Sequence, residues 1–343
     1  MRFVIVLIHA AVLLAGCARP EQEDNRLLAW SGKTMGTQFI VKIVDPPDGD
    51  IAVQLRRVVE ERLGELEGLL SAYDLGSDVS CLNDNQSVQW MNLSEEIAEV
   101  VAEASLVGLL TDGAFDVTCA PLVSLWGFGP GQGAPDRVPT EEQIAVAKTS
   151  VGVDKIEYQL DPPTVRKTMP EVQINLSGVA KGYAVDQIAV MLRSAGIANF
   201  LVDIGGDVRA QGTNPEGEPW RIGIEAPLPG VRSIQRVVNL ADTALATSGD
   251  YRNYFVQGGR RRSHIIDPRT GRPIEHRLAS VSVLDPSCAR ADALATGLMV
   301  LGPEDGYRLA VEQNLAVLFI VGTDAGFEER MTPEFEAACL PRD

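Results

Sequence analysis

Apolar side chains return at Leu55, Val58, Leu63, Leu66 and Leu69, and charged residues fill most of the gaps between them. This spacing lies close to the helical period and predicts an amphipathic helix beginning near Ile51. A second helix is predicted from "SEEIAEVVAEASLVGLLTDG": Ser94 opens it, Glu95 and Glu96 make an acidic first turn, and Gly113 stops it. Thr140-Glu141-Glu142-Gln143 has the form of a capping box and predicts another helix start. "TQFIVKIV" (Thr37–Val44) reads as a strand ended by Asp45-Pro46-Pro47. The second half is richer in extended patterns: "FLVDI", "WRIGIEA", "IQRVVNL", "ASVSVLD" and "LAVLFIV", with a helical stretch, "ADALATGLMVLG", between the last two. Helices and strands mix without a regular βαβ rhythm, so the expected fold is α+β with largely antiparallel sheets. No short repeat or long low-complexity linker interrupts the chain. The Gly- and Pro-rich stretch from Gly127 to Pro139 is expected to be its weakest point.

The N-terminus departs from this patterning. Arg2 precedes an apolar run from Phe3 to Leu14, which is short for a permanent membrane span. Leu14-Ala15-Gly16-Cys17 follows and resembles a bacterial lipobox, in which the cysteine is lipidated and becomes the new N-terminus. The expected organisation is a lipoprotein signal peptide over 1–16, a tether over 17–29 after lipidated Cys17, and one folded domain over 30–343. The protein is expected to be exported and lipid-anchored to the cell membrane or outer membrane, facing the periplasm.

Charge narrows the possible partners. The net charge of −17 argues against a nucleic-acid surface, which needs a basic stripe. Any anion site must therefore rely on local devices such as helix N-termini or a metal. Cys81, Cys119, Cys288 and Cys339 are far apart and form no Cys-x-x-Cys pair. With three histidines in the chain, no zinc site is expected. Export permits disulfides, but no pairing is assigned.

Several stretches carry chemistry-bearing residues. "INLSGVAKGYAVDQIAVML" begins like a strand and ends like an amphipathic helix with Ala184, Ile188, Met191 and Leu192 on its apolar face. Its order, Gly178-Val179-Ala180-Lys181-Gly182-Tyr183, fails the P-loop pattern. It still places a glycine and a lysine near a helix start, which favours a bound negative group; a plain strand-to-helix turn with a solvated lysine has the same signature. In "ARADALATGLMVLG", Asp292 and Thr296 stand at i and i+4 on one helix face. A carboxylate and a hydroxyl are hard oxygen ligands suited to Mg²⁺, or else a cap and a packing residue. Thr247-Ser248-Gly249-Asp250 reads as a turn presenting a hydroxyl and a carboxylate. His264 follows three arginines and precedes a short strand ending at Asp267-Pro268. No G-x-S-x-G elbow accompanies them, so a serine-hydrolase triad is not supported. Gly205-Gly206 between Asp203 and Asp207 marks a strand end or a bulge. Ala114-Phe115-Asp116 sets an aromatic beside a carboxylate.

Taken in order, Met35-Gly36-Thr37, Ser71-Ala72-Tyr73-Asp74 with Leu82-Asn83, "DGAFDVT" with "LWGFG", Gly178 to Tyr183, "VDIGGD", "TSGDY", "HIIDPRTG" and "ADALATGL" resemble the ApbE-like FAD:protein FMN transferases over about residues 30 to 322. The resemblance implies the flavin transferase fold. It also implies a Mg²⁺-dependent enzyme that takes FAD as substrate, releases AMP and attaches FMN to a Thr or Ser hydroxyl of an acceptor flavoprotein, such as a subunit of a membrane redox complex. By position, Met35, Tyr73, Ala114, Phe115, Asp116, Asn175, Lys181 and Ile265 match FAD contacts. Gly178, through its carbonyl oxygen, with Asp292 and Thr296 matches the metal ligands. His264 and Asp250 are the candidate bases for the acceptor hydroxyl. Two alternatives share these residues: an FAD pyrophosphatase giving FMN and AMP, and a non-catalytic FAD-binding lipoprotein.

Overall fold

A computed structural model describes residues 27–47, 49–130, 132–133, 138–228, 233–250, 254–257 and 260–339. The expected signal peptide, Cys17 and most of the expected tether lie outside these residues, as do positions 131 and 134–137 of the Gly/Pro-rich loop. The described chain begins inside a strand. β1 (Leu27–Thr34) pairs antiparallel with β2 (Thr37–Val44) across the Met35-Gly36 turn, where both residues have positive φ. Residues 27–29, expected to be tether, belong to this strand. β1 is hard to recognise because only Trp30 and Thr34 along it are buried.

The predicted helices form. α1 (Asp50–Leu70) buries Leu55, Val59, Leu63, Leu66 and Leu70, so its inner stripe uses Val59 and Leu70 in place of the expected Val58 and Leu69. After α2 (Asp78–Asp84) and the short β3 (Met91–Asn92), α3 (Glu95–Leu110) starts at Ser94, whose side chain accepts from Ile97 N. Gly113 ends that region at φ 71°. α4 (Ala120–Leu125) precedes α5 (Glu141–Lys148), which carries both hydrogen bonds of the Thr140/Gln143 capping box. β4 (Ile156–Leu160) and β5 (Pro163–Lys167) then join β3 in a small sheet of order β3-β5-β4.

Lys167, at the end of β5, is 1% exposed. Its ammonium donates to the carbonyls of Leu82 (3.3 Å), Asn83 (3.4 Å), Pro170 (3.1 Å) and Asn85. Burial lowers its pKa, and the charges of Asp84 and Glu171 oppose that shift. A buried cation needs compensating dipoles, and these carbonyls supply them. They come mostly from the C-terminal end of α2, so the lysine closes that helix. Asn83, fixed there, grips the following segment: its side chain donates to Ile174 O (2.8 Å) and accepts from Ile174 N (2.7 Å). The stretch expected to be a strand at Ile174 is therefore extended but belongs to no sheet; a side-chain amide supplies what a neighbouring strand would have given.

α6 (Ala180–Ser194) follows, with Ala184, Ile188 and Leu192 buried and Met191 packed against the core. β6 (Phe200–Ile204) and β7 (Asp207–Gln211) form a hairpin through Gly205-Gly206, whose positive φ values (65° and 98°) suit a two-residue turn. β8 (Trp220–Glu225) and β9 (Ile234–Leu240) make a separate two-stranded sheet. β10 (Thr243–Gly249) contains Thr247, Ser248 and Gly249, so the expected turn there is a strand, paired residue by residue with β15 (Leu278–Asp285). Between them lie the short β11 (Tyr254–Gln257), β12 (Arg260–Ser263), β13 (Ile266–Asp267) and β14 (Arg272–Pro273). α7 (Cys288–Glu312) kinks at Gly302-Pro303. β16 (Ala316–Thr323), β17 (Gly326–Met331) and α8 (Pro333–Cys339) complete the chain.

The main sheet has the order β1-β2-β6-β7-β10-β15-β16-β17, and each of its ladders is antiparallel. Its largest core packs one face against α1, α3, α6 and α7. A second core, including Trp220, Ile224, Val238 and Phe335, covers the other face with the β8–β9 hairpin and α8. This is the expected α+β, largely antiparallel architecture. No helix among the described residues is long and apolar enough to cross a membrane.

Candidate active site

α6 and α7 cross where Gly182 meets the start of α7. A Cβ at Gly182 would lie 2.3 Å from Cys288 O and 2.8 Å from Ala289 Cα, so only glycine allows this approach. The crossing brings Lys181, in the first turn of α6, to 3.5 Å from Asp292 Oδ2 on α7. Lys181 Nζ also donates to Asp207 Oδ2, at the start of β7. Asp207 Oδ1 accepts from Thr247 N at 3.3 Å. Asp207 is 1% exposed and Asp292 4% exposed.

Burial disfavours the Lys181 ammonium, but Asp207 and Asp292 more than reverse that and hold its pKa well above the usual lysine value. Burial, reinforced by the charge of Asp207, pushes the Asp292 carboxyl up to about 7, against the pull of Lys181 and the Gly182 amide. One ammonium faces two buried carboxylates, so this corner favours a further cation.

The amides at the start of α6 are used within the protein. Ala180 N donates to Leu176 O (2.8 Å), Tyr183 N to Val179 O (3.0 Å), and Gly182 N to Asp292 Oδ2 (3.2 Å). The positive end of the helix thus steadies the Asp292 carboxylate, so the negative group expected near this helix start is in part the protein's own.

Thr296 lies one turn beyond Asp292, and its Oγ1 is 2.9 Å from Ser248 Oγ on β10. A Cβ at Gly178 would stand 3.2 Å from Thr296 Oγ1 and 3.1 Å from Phe115 Cε2. The bare backbone of Gly178 therefore leaves a cradle beside Thr296. Carboxylate, hydroxyl and peptide carbonyl are all hard oxygen donors, and these residues fit a Mg²⁺ ion. No cluster of three or more His, Cys, Asp or Glu among the described residues could hold a metal, so a cation here would depend on this mixed set.

These groups open into a cavity of about 1260 Å³. Tyr73, Ala114, Phe115, Asp116, Asn175, Gly178, Lys181, His264, Ile265, Asp292 and Thr296 all line it. Asp116 is held by Thr118, accepting from its amide (2.8 Å) and its hydroxyl (2.6 Å); burial raises its pKa against those bonds. Asn175 donates its amide to Val117 O (2.7 Å) and accepts from Ser177 N (2.9 Å), which ties the segment after the Asn83 clamp to the 114–117 stretch. The Tyr73 hydroxyl donates to Phe128 O at 3.3 Å. Phe128 packs on Phe255 (4.9 Å between ring centroids) and meets His264 edge-on at 6.3 Å. Trp126 Nε1 donates to Gly271 O at 2.8 Å and joins the "LWGFG" stretch to the turn after His264.

Two expected residues stand elsewhere. Met35 does not line the cavity, although its neighbours Thr34 and Gly36 do; its side chain packs against the main core. Asp250 is also absent from the lining and is 3.2 Å from Arg261. Asp207, Ser248 and Asn83 take part in building the site, yet their chemistry could not be assigned from spacing alone. The flanking Gly-Gly was the sequence signal nearest Asp207.

The profile of the ApbE family matches residues 35–319. The chain is 44% identical over 336 residues to the FAD:protein FMN transferase of Vibrio cholerae serotype O1, covering 98% of each protein. It is 38% identical to the FAD:protein FMN transferase of Escherichia coli K12, covering 97% of this chain and 96% of that one. Among solved structures, the flavin transferase ApbE from Vibrio cholerae superposes with a TM-score of 0.83 at 42% identity, over 92% of this chain and 99% of that one. The apo form of Pseudomonas stutzeri flavinyl transferase ApbE gives 0.83 at 41% identity, over 92% and 97%.

Proposed function

We propose, since this chain belongs to the ApbE family and is a transferase, that it moves the FMN half of FAD onto a serine or threonine hydroxyl of an acceptor protein and releases AMP. The observation that supports this reading most directly is the convergence of Lys181, Asp292, Thr296 and the bare Gly178 backbone on the wall of a cavity large enough for a dinucleotide. FAD lies in the cavity with Tyr73 and Phe115 as ring surfaces. Ala114, Asp116, Asn175 and Ile265 shape its walls, and Met35 supports the turn beside them.

Asp292, Thr296 and the Gly178 carbonyl would hold Mg²⁺, which supplies Lewis acidity at the diphosphate. Lys181 adds fixed positive charge beside the same phosphates. The acceptor oxygen forms a new bond to the phosphorus of the FMN half, and the bond from that phosphorus to the bridging oxygen breaks. AMP departs with that oxygen, and the hydroxyl proton passes to the His264 imidazole. His264 is better placed for this than Asp250 because it borders the cavity, whereas Asp250 is engaged by Arg261.

The enzyme acts outside the cytoplasm, anchored through lipidated Cys17, on a subunit of a membrane redox complex or a related flavoprotein. The test incubates the protein with FAD and Mg²⁺, with and without an extracytoplasmic protein extract. The products are separated under denaturing conditions, and protein-bound flavin is read by fluorescence and mass. The expected result is flavin on a specific acceptor together with AMP. Free FMN in both samples and no flavin on any protein would leave only the hydrolase.

A further inference from the structure

The cavity continues past the residues assigned to FAD. Beyond Lys181 and Thr247 it runs between the main sheet and the β8–β9 hairpin, where Ile40, Val208, Leu245, Ile222 and Ile224 form apolar walls. None of these residues stands at an FAD or metal position. The whole space, about 1260 Å³, exceeds the roughly 300–1000 Å³ usual for a single small-molecule site.

One wall has a distinctive form. Ile222, Gly223, Ile224 and Glu225 line the cavity consecutively. Side chains alternate along a strand, and Trp220, Ile222 and Ile224 face the sheet, so the unbroken run means that the edge of β8 borders the space as well as that face. Its other edge pairs with β9, and the two strands form a sheet of their own. Among the described residues, no hydrogen bond reaches the outer edge of Arg221–Ile224. A row of outward N–H and C=O groups is satisfied in series by another extended chain; a water molecule needs no such row.

We infer that this lobe receives the acceptor protein, which binds as an extended segment along the open edge of β8. The inference rests on the transferase reading above. Apolar side chains of the segment lie against Ile40 and Ile222, and its serine or threonine hydroxyl points toward Lys181 and Asp292 in the same cavity. Continuity of the lobe with Lys181 and Asp292 gives the hydroxyl its route.

The test uses the acceptor labelled in the transfer experiment. Ile40→Lys and Ile222→Lys each raise the KM for that acceptor about tenfold or more, while the FAD Kd stays within about twofold. Release of FMN without acceptor is also unchanged. As a measurement on the unaltered enzyme, hydrogen–deuterium exchange is compared with and without an acceptor whose modified residue is replaced by alanine; the amides of 221–225 become protected. An unchanged acceptor KM, or protection that bypasses β8, overturns the inference. So does an FAD Kd that rises along with the acceptor KM, because the lobe would then belong to the flavin. A wild-type enzyme that labels no protein defeats the transfer reading itself, before any variant is made, and this inference falls with it.

Discussion

Lys181 sits between two carboxylates that are almost completely buried, and that imbalance of charge is the chemical centre of the site. Asp292→Asn keeps the volume and removes the charge. It is expected to cut flavin transfer by about 10²–10³-fold while FAD binding remains measurable, as checked by product chromatography and calorimetric titration. Gly178→Ala probes the cradle differently, because its new Cβ would crowd Thr296 Oγ1 at 3.2 Å and Phe115 at 3.1 Å. It should cost no more than about 1–3 kcal/mol of stability but reduce turnover steeply, seen by comparing denaturant midpoints with rates. The i, i+4 spacing of Asp292 and Thr296 was legible in the sequence because a helix fixes it locally. Asp207 was not, because its role arises only when β7 and α6 meet, and no periodicity reports that meeting.

At the scale of elements, the α6–α7 crossing determines whether the site exists. Gly182→Ala would drive a methyl into the Cys288 carbonyl at 2.3 Å, against backbone that cannot rotate away. A loss of about 3 kcal/mol is expected, with Lys181 and Asp292 pushed apart; thermal unfolding and transfer rate should fall together. The α7 kink offers a pH test. His276 packs against Gly302, where an added Cβ would be 2.8 Å from the imidazole Cδ2. Burial lowers its pKa from the ordinary 6.5, opposed by the nearby backbone of Met299 and Val300 and by the charge of Asp250. The unfolded chain then binds a proton that the native state resists, so the contribution is full above pH 6.5 and is lost as pH falls through the lowered native value. The melting temperature of His276→Gln should therefore decline less than that of the wild type on acidification below that point. α1, α3 and α5 were readable from period and caps because those signals are local. The sequence of β10 reads as a turn because Thr-Ser-Gly-Asp has turn chemistry, and only its pairing with β15 overrides it. β1 carries little signal because little of it is buried.

At the scale of the whole molecule, the sheet divides two tasks. One face carries the helices that hold the charged groups; the other, under the β8–β9 hairpin, leads away from them. If Cys17 is the anchor, Cys17→Ser should move the protein from the membrane fraction to the soluble fraction without altering turnover on FAD, as read by fractionation and assay. Lys167 has a consequence of its own. The ring of carbonyls around its ammonium is the kind of nest in which proteins often lodge a metal, but here the cation is part of the chain and no chelator can remove it. If the proposed Mg²⁺ site operates in the working enzyme, EDTA would empty it while the ribbon from Val172 to Gly178, gripped through Asn83, keeps its course. Restoring the divalent ion alone should then revive the enzyme, with no refolding required.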